Sequence, residues 1–422
     1  MKFKRILALA LISATTVSMM AGCGSDSSEN EKEKDGKVEL TLSTWANETE
    51  AKEMDAVLKE LNDSQEEYVI KQQVIPSDYY TKIQTQIAGK QAPDLMWLSQ
   101  EYIPAYAKTG AIIELDSAIE KQDIINLDDY MEGPLQTAKY DGKLYGLPWI
   151  GQPYIIYYNK TMFEEKGVEL PSEDWTWDEF YETAKALTGD DIYGFASTGT
   201  PPLELFTWAF GGDITDADGN VVVGDPESIE GLEFAYNMLN DKTAVMPYLE
   251  ANSLGVEQGF AQGRIAMMVG GAADMVEKKV EEAGTGFEIG VQVMPAGPKA
   301  QVTFNWTAST AISSQTKNPE VAKKALMDLT NAMFDYKIPA PVKSKVDMVA
   351  TINPAKEYAM DVIKKSGEMS RGFNNQPEQN EIASYIWEKL VSPIYTNGDG
   401  SGNVNVAELA EKAQSEIEKI TK

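Results

Sequence analysis

The order of apolar and polar positions predicts strands that alternate with helices along most of the chain. Residues 38–44 alternate apolar and polar side chains, as a half-buried strand does, and apolar residues from Met54 to Leu61 follow at helical spacing. Similar patterns predict further strands at 68–74, 93–98, 154–158, 265–269, 290–294 and 304–312, and further helices from 77, 226–240, 256–262, from 319 and 404–420. Such alternation is typical of an α/β fold, and it predicts a largely parallel sheet.

Capping signals mark the start of a helix near residue 177. Thr176 and Glu179 have the spacing of a capping box, and Trp175 is placed to pack on Phe180 as a hydrophobic staple. We therefore expect Trp175 and its neighbour Trp177 to be structural aromatics rather than ligand contacts.

The segment at 140–163 predicts a crossover between two parts of the fold. Its Asp141-Gly142 pair is a strong signal for a hairpin turn, and an apolar strand at 154–158 follows. Between them lies Trp149, which we expect to be exposed. Ligands favour the clefts that such crossovers create. Further on, we expect Trp208 to lie in a loop before Gly211 and Gly212.

The N-terminus has the composition of a secretory signal. Residues 1–22 carry a basic start, a short apolar run and small residues before Cys23, the single cysteine of the chain. This order matches a bacterial lipobox, so we expect lipidation of Cys23, followed by a disordered tether at 23–36. The protein would then work outside the cytoplasm, anchored to the cell membrane by lipid alone. A polar tether of this kind favours a Gram-positive bacterium.

Charge and composition exclude several function classes. The formal net charge is −29, which disfavours nucleic acid as a partner. The chain has no histidine, which removes histidine-dependent catalytic dyads and argues against a zinc site. An aspartate-rich turn at 216–220 lacks the closing glutamate of an EF-hand loop, so a tight hairpin is the better interpretation. We expect neither a metal nor a cofactor.

Four motifs occur in an order that resembles a known family. They read PDLMW at 93–97 with YAKTGAIIELD at 106–116, YDGKLYGLP at 140–148 with YNK at 158–160, FAQGRIAM at 260–267, and KNPEVA at 317–322. Together they resemble the extracellular solute-binding proteins (family 1, maltose-binding-protein-like) of carbohydrate ABC transporters. The resemblance spans nearly the whole chain after the signal segment.

The resemblance implies an α/β, two-lobed periplasmic-binding-protein-like fold of type II, with lobes joined by a multi-crossing hinge. We expect crossings near residues 150, 302 and 350, so that 37–150 with 303–350 form the first lobe. The second lobe would then contain 151–302 with 351–422. The implied function is non-enzymatic: the protein captures a mono- or oligosaccharide in the interlobe cleft and delivers it to the permease subunits of an ABC importer. Nothing in the sequence indicates the oligomeric state, and we expect a monomer by default.

Sugar binding needs aromatic platforms for the apolar ring face and polar side chains for the hydroxyl rim. The resemblance places Trp97 in a motif that carries a stacking aromatic, Gln100 and Glu101 at a hydroxyl-binding pair, and Gln152 at a polar contact position. From their places at strand ends, the crossover or glycine turns, we add the remaining candidates: Trp45, Asn47, Trp149, Trp208, Gly271, Trp306 and Arg371. One departure from maltose-type relatives is the pair Ala272-Ala273, which stands where they have an aromatic and argues against maltodextrin.

Two other function classes fit the composition. A polyamine binder would need carboxylates among the aromatics, for which Glu101 and Asp213 are candidates. A surface glycoside hydrolase would need two carboxylates about 5 to 10 Å apart, but no pair stands out among the 66 acidic residues. Tyrosine pairs at 79–80 and 157–158 suggest ferric-iron binding, but neighbouring strand side chains point to opposite faces, which favours packing.

Overall fold

The computed structural model describes residues 36–336, 339–398, 402 and 404–422. The predicted signal peptide at 1–22, the predicted lipidation site Cys23 and the predicted tether, except for Gly36, lie outside the described residues. Within the described part, no helix combines the length and the apolar character that crossing a membrane requires.

Strands and helices alternate along the chain. The strands are β1 Val38–Thr44, β2 Tyr68–Val74, β3 Leu95–Ser99, β4 Lys139–Tyr140, β5 Lys143–Leu144, β6 Leu147–Asn159, β7 Tyr193–Phe195, β8 Ile265–Gly271, β9 Ile289–Gln292, β10 Thr303–Ile312 and β11 Ser370–Arg371. The helices are α1 Glu48–Asp63, α2 Tyr79–Ala88, α3 Ile103–Lys108, α4 Asp116–Ile119, α5 Glu132–Gln136, α6 Lys160–Lys166, α7 Trp177–Leu187, α8 Glu204–Phe210, α9 Pro226–Leu239, α10 Tyr248–Leu254, α11 Val256–Ala261, α12 Val276–Ala283, α13 Pro319–Met333, α14 Met348–Ile352, α15 Met360–Glu368, α16 Gln379–Ile386, α17 Ser392–Thr396 and α18 Val406–Ile420. Short 3₁₀ turns lie at Gln100–Tyr102, Leu127–Asp129, Lys343–Lys345 and Pro354–Ala359, and a π-helical turn lies at Trp387–Val391.

The main sheet is mixed, so the expectation of a largely parallel sheet was wrong. Its order is β2-β1-β3-β10-β6-β8-β7, with β11 on β10 and β9 on β6. The pairs β1–β2, β1–β3, β7–β8 and β10–β11 are parallel, as strand–helix alternation predicts. Strand β10 runs antiparallel to its neighbours β3 and β6, and β6 runs antiparallel to β8 and β9, so the strand direction alternates at the centre of the sheet.

Strand β6 connects two halves of the sheet. Its first half pairs with β10 through residue 153, and its second half pairs with β8 and β9 from residue 154 onward. The register with β10 shifts between Ala308 and Ser309, so Trp149 is the extra residue of a β-bulge. The expectation that Trp149 is exposed was wrong, because only 2% of it is accessible.

Separate hydrophobic cores pack on the two halves of the sheet. The β1 core includes Leu42, Trp97 and Leu326, with helices α1 and α13 against the strands. The β8 core includes Trp177, Phe206, Met267 and Ile417 from α7, α8, β8 and α18. Trp306 on β10 packs against both cores. Because β6 and β10 run through both halves, residues 37–422 still form one compact unit.

Most local signals are confirmed. Thr176 and Glu179 form the capping box of α7, and Trp175 and Trp177 are buried. At the hairpin between β4 and β5, Asp141 and Gly142 have φ of 49° and 72°, the left-handed pair that a type I′ turn requires.

The second predicted turn is also a hairpin, but Trp208 is not in a loop. The Asp216 carboxylate accepts the backbone N–H groups of Asp218 and Asn220, and Thr215 bridges Val221 across the turn. Trp208 lies inside α8, because Gly211 is the left-handed C-cap of that helix rather than part of a longer loop.

Candidate functional site

Two concave spaces lie along β10. The cleft cavity, about 810 Å³, is lined by Gln152, Tyr154, Thr198, Thr200, Gly255, Val256, Glu257, Gln258, Val269, Gly270, Gly271, Asp274, Lys279, Glu282 and Trp306. A larger side groove, about 1740 Å³, has Thr137, Asp213, Arg371 and Asn374 among its lining residues. Thr137 shares a hydrogen bond with Thr307, the neighbour of Trp306, and adjacent strand residues point to opposite faces. The two spaces therefore lie on different faces of β10 at this point.

The cleft cavity combines groups suited to a polyol. Gln152 and Trp306 are direct cross-strand partners on β6 and β10. The Gln152 Nε2 donates to Asp274 Oδ1 at 2.8 Å, and the backbone N–H of Gly271 donates to Asp274 Oδ2 at 2.7 Å. A Cβ at Gly271 would lie 1.6 Å from the Gln152 Nε2, so any larger residue there would displace the Gln152 amide from its present position. An amide, a carboxylate and an indole face thus meet at the floor of the cavity.

Glu101 lies within electrostatic range of this cavity. Burial raises the pKa of the Glu101 carboxyl. Burial also raises the pKa of Tyr154, to about 12, with the charges of Asp274 and then Glu101 adding to the effect. Tyr154 lines the cavity, and carboxylates on two different segments therefore act on its hydroxyl. Of these two carboxylates, Asp274 lines the cavity and can accept a hydrogen bond from a hydroxyl-bearing or amine-bearing ligand.

Aromatic rings surround Glu101 on the β1 side. Tyr80 and Tyr102 stack on each other, and the Tyr80 hydroxyl shares a hydrogen bond of 2.8 Å with Ser99 Oγ. Burial raises the pKa of Tyr80 and Tyr102, and the Glu101 charge raises both further. Trp45 follows the end of β1 and has its ring centre 6.3 Å from that of Tyr80. These half-buried rings form an aromatic wall.

Trp97 and Trp149 lie beneath Trp45 rather than on the surface. Their ring centres are 5.3 and 6.3 Å from that of Trp45 and 4.5 Å from each other. Trp97 is only 1% exposed. Among the described residues, neither indole N–H has a hydrogen-bond partner. The geometry gives these two residues a supporting position behind the accessible ring of Trp45.

Two further polar candidates are engaged within the protein. Asn47 caps α1, and its side chain accepts the backbone N–H groups of Thr49 and Glu50. Gln100 is buried and donates through Nε2 to the Asn305 carbonyl at 3.3 Å. The Gln100 Oε1 has no partner in the described part of the chain, and Gly372 of the side groove approaches it.

Trp208 and Arg371 come together at the side groove, away from Gln152. The Trp208 indole N–H donates to Asp213 Oδ1 at 2.8 Å, and the Arg371 guanidinium donates to Asp213 Oδ2 at 2.7 Å. The guanidinium also lies 4.3 Å above the Trp208 ring. Burial raises the pKa of Asp213, and the nearby Arg371 charge opposes that shift. This cluster is internally satisfied, so we interpret it as structural support.

Sequence reasoning missed three residues at or beside the cleft cavity. Asp274 and Tyr154 line it directly. Trp387 is 49% exposed and packs on Gly199, which lies between the cavity-lining Thr198 and Thr200. It begins the π-helical turn, a distortion frequent at functional sites. Tyr154 lies in a predicted strand, but its side-chain direction was not predictable from the sequence. No local pattern marked Asp274 or Trp387, because only folding brings them near β6 and β10.

The charge of the cavity limits what it can bind. Lys279 is the cation among its lining residues, and it is ion-paired with Glu257. Phosphate or carboxylate ligands would find no free positive partner there, whereas hydroxyls and amines would find acceptors. The described residues contain no group of three or more side chains placed to hold a metal ion.

Comparisons with known proteins agree on one family. The model of the bacterial extracellular solute-binding protein family matches residues 45–331. The galactooligosaccharide-binding protein of Bacillus subtilis is 24% identical over 99% of this chain and 98% of its own. The diacetylchitobiose-binding protein DasA of Streptomyces coelicolor is 25% identical over 76% of this chain and 77% of its own.

Two further comparisons concern alignment coverage and the fold. A binding protein of Brucella abortus is 28% identical, and the alignment spans 60% of this chain and 62% of that protein. Among solved structures, the ABC substrate-binding protein Lmo0181 of Listeria monocytogenes, in complex with cycloalternan, superposes with a TM-score of 0.75. That comparison has 24% identity and covers 91% of this chain and 98% of the other.

The fold is therefore the two-lobed α/β arrangement of type II periplasmic binding proteins, as the motifs implied. The family match covers more than half of the chain and includes β3, β6, β8 and β10, the strands that carry or support the cleft cavity. The chain belongs to the family of bacterial extracellular solute-binding proteins.

Proposed function

We propose that this protein is a sugar receptor that captures an oligosaccharide in the cleft cavity and delivers it to an ABC importer. The observation that carries the proposal is the cross-strand pair of Gln152 and Trp306 on the floor of a cavity of about 810 Å³. The indole offers a platform for a sugar ring, while the Gln152 amide and Asp274 can bind its hydroxyls. A cavity of this volume is within the usual range for small-ligand sites.

The named ligands of relatives support a sugar rather than an anion. Relatives are named for galactooligosaccharide and for diacetylchitobiose, and a structural neighbour was solved with cycloalternan. One relative is named as an sn-glycerol-3-phosphate-binding protein, from Agrobacterium fabrum. The cavity here lacks an unpaired cation among its described lining residues, which makes a phosphate ligand the weaker proposal.

Calorimetry of the soluble body, residues 36–422, tests the proposal. The panel contains galactotriose, diacetylchitobiose, maltotriose and mannotriose, with glycerol 3-phosphate as the anionic comparison. We expect saturable binding of at least one sugar and none of the phosphate. Binding of the phosphate alone, or of no sugar, would reject the proposal.

The lobe limits are part of the same proposal. We place the first lobe at residues 37–150 and 303–350 and the second at 151–302 and 351–422. The change of partner along β6, from β10 to β8 and β9, supports a boundary near residue 151. Closure of the lobes on a sugar would create the surface that the permease recognises.

We further propose a monomer held at the outer face of the membrane by a lipid on Cys23. The support is the lipobox order of the N-terminal sequence together with the extracellular family. A C23S variant expressed in a Gram-positive host should appear in the culture medium, whereas the unchanged protein stays with the membrane. Equal membrane retention of both would reject lipid anchoring, and light scattering of the soluble body tests the monomer.

An amine ligand is the second candidate, favoured by the carboxylates around Tyr154 and the aromatic wall near Glu101. Spermidine and putrescine in the same calorimetric panel separate the two ligand classes. The family is one of solute-binding proteins rather than enzymes, and we propose that no catalysis occurs. Release of reducing sugar from any panel member would overturn that part.

A further inference from the structure

A buried lysine lies behind the floor of the cleft cavity. Lys356 is 0% exposed and belongs to the 3₁₀ turn Pro354–Ala359. Its Nζ donates to the Tyr157 hydroxyl at 2.8 Å and to Glu277 Oε1 at 2.9 Å. It also lies 4.6 Å from the centre of the Tyr157 ring. A charge is expensive to bury without a role, so these contacts need an explanation.

Tyr157 connects Lys356 to the floor of the cleft cavity through hydrogen bonds. Its hydroxyl donates to the Gly271 carbonyl at 2.8 Å. The backbone N–H of the same glycine donates to Asp274 Oδ2, and Asp274 Oδ1 accepts from the Gln152 Nε2. A series of hydrogen bonds, joined through the backbone of Gly271, therefore leads from Lys356 to Gln152.

The direction of these bonds fixes which groups remain for a ligand. Lys356 can only donate, so the Tyr157 oxygen accepts and its O–H is left to donate to Gly271. Asp274, as a carboxylate, accepts from both of its partners and so holds the nitrogen side of the Gln152 amide. The amide carbonyl of Gln152 is then left to accept a hydroxyl proton from a ligand in the cavity.

We propose that Lys356, Tyr157 and Asp274 act as positioning residues that orient the Gln152 amide for ligand recognition. The inference rests on the proposed sugar-receptor function, but the hydrogen-bond chain can be tested without a ligand. These positioning residues come from β6, from the turn after β8 and from the turn before α15, three segments that no local motif connects.

The neighbouring charges leave Lys356 dependent on this arrangement. Glu277 accepts from Lys356 and from the Tyr358 hydroxyl, both through Oε1, while its Oε2 is buried without a partner among the described residues. Burial lowers the pKa of Lys356, and the charges of Glu277 and Asp274 oppose the shift. Removing Lys356 alone would leave the Glu277 carboxylate without its positive partner. The series of hydrogen bonds from Lys356 to Gln152, called the relay below, is therefore better tested at Tyr157 and Asp274.

The first test is Tyr157→Phe, with Tyr158→Phe as the matched control. Tyr158 is the next residue of β6, but it packs in the β8 core against Phe163 instead. Hydrogen exchange read by mass spectrometry should rise about tenfold in the peptide that contains Gly271 and Asp274 for Y157F alone. Equal exchange in Y157F and Y158F would overturn the relay, whether or not any ligand binds.

The second test removes and then restores the hydrogen bond between Gln152 and the side chain at position 274. In D274N an amide nitrogen can face the Gln152 Nε2, so the glutamine should flip and present the wrong group to the ligand. With the tightest binder among galactotriose, diacetylchitobiose, maltotriose and mannotriose, we expect about tenfold weaker binding. The double variant D274N/Q152E restores a donor–acceptor pair between the two side chains and keeps an oxygen acceptor facing the ligand, so it should recover most of the lost affinity.

Outcomes separate the inference from the proposed function. If the unchanged protein binds a sugar and Y157F and D274N bind it equally well, the relay is rejected and the receptor function stands. If the unchanged protein binds none of the four sugars, the receptor function fails, and the exchange comparison alone then supports or overturns the relay. A loss of affinity in Y157F with an unchanged melting temperature would support positioning over a purely structural role.

Discussion

Two tryptophans that are in contact take different positions at the aromatic wall. Trp45 is half-buried, whereas Trp97 behind it is 1% exposed and forms part of the β1 core. The sequence alone favoured both as sugar platforms. It could not separate them, because the exposure of an aromatic ring depends on which residues pack on it in the folded chain. Accessibility therefore makes Trp45 the better platform of the two.

Substitution at these two positions should separate binding from stability. W45A should weaken sugar binding about tenfold, equivalent to about 1.4 kcal/mol, and should destabilise the fold less than W97A does, because Trp45 is only half-buried. W97A should cost about 3 to 5 kcal/mol of unfolding free energy, because it leaves a large cavity in the core. Calorimetry and urea unfolding measure the two effects. Similar effects of both variants on both quantities would contradict the assignment.

Glu204 at the start of α8 should make stability depend on pH. Burial raises the pKa of its carboxyl to about 7, with the nearby Asp213 charge adding to the effect. The folded state then keeps a proton that the unfolded chain releases above about pH 4.5, so stability falls as the pH rises from there to 7. The absence of histidine from the chain leaves few other groups to titrate in this range.

The variant E204Q removes this titration. We expect it to be about 3 kcal/mol more stable than the unchanged protein at pH 8 and nearly equal at pH 4.5. Urea unfolding at several pH values measures the difference. E230Q, on the exposed side of α9, is the matched control and should follow the unchanged protein at each pH. A pH-independent difference for E204Q would contradict the raised pKa.

At the scale of elements, the capping box of α7 is a local structure with a measurable contribution. The Thr176 hydroxyl accepts the Glu179 backbone N–H at 3.2 Å, and the Glu179 carboxylate accepts the Thr176 backbone N–H at 2.7 Å. T176A should lower the unfolding free energy by about 1 kcal/mol, whereas T176S keeps the hydroxyl and should lose little. Equal losses in the two variants, by urea unfolding, would show that the hydroxyl does not cap the helix.

Elements defined by neighbouring residues were predictable, and those defined by distant ones were not. The boundaries of β1 and β2, the capping box of α7 and the hairpin at residues 141–142 follow from local patterns. The antiparallel direction of β6 and β10 depends on partners far along the chain, so local alternation suggested a parallel sheet instead. The same holds for Asp274 and Trp387, whose proximity to the cavity is a product of folding.

The bulge in β6 explains why the predicted exposure of Trp149 was wrong. Trp149 follows a turn and a proline, which favoured exposure, but the register shift opposite Ala308 turns its ring into the β1 core. A bulge of this kind depends on the partner strand. Single-sequence reasoning therefore located the crossover at 140–163 but not the direction of its side chains.

At the scale of the molecule, closure on a sugar should make the body more compact. A chain of this length has a radius of gyration of about 21 Å when compact. Solution X-ray scattering should show a decrease from the unliganded value when a binding sugar is added, as hinge closure requires. A non-binding sugar from the same panel is the control. No change with a saturating ligand would reject a closing hinge.

The packing of Trp45 on Trp97 and Trp149 also has an optical consequence. Ring centres 4.5 to 6.3 Å apart allow excitation absorbed by the buried indoles to pass to their accessible neighbour. A sugar that displaces water from Trp45 would then shift the emission of the whole cluster toward the blue. If Trp45 contacts the bound sugar, the chain contains its own fluorescent reporter of ligand binding, and no label is needed.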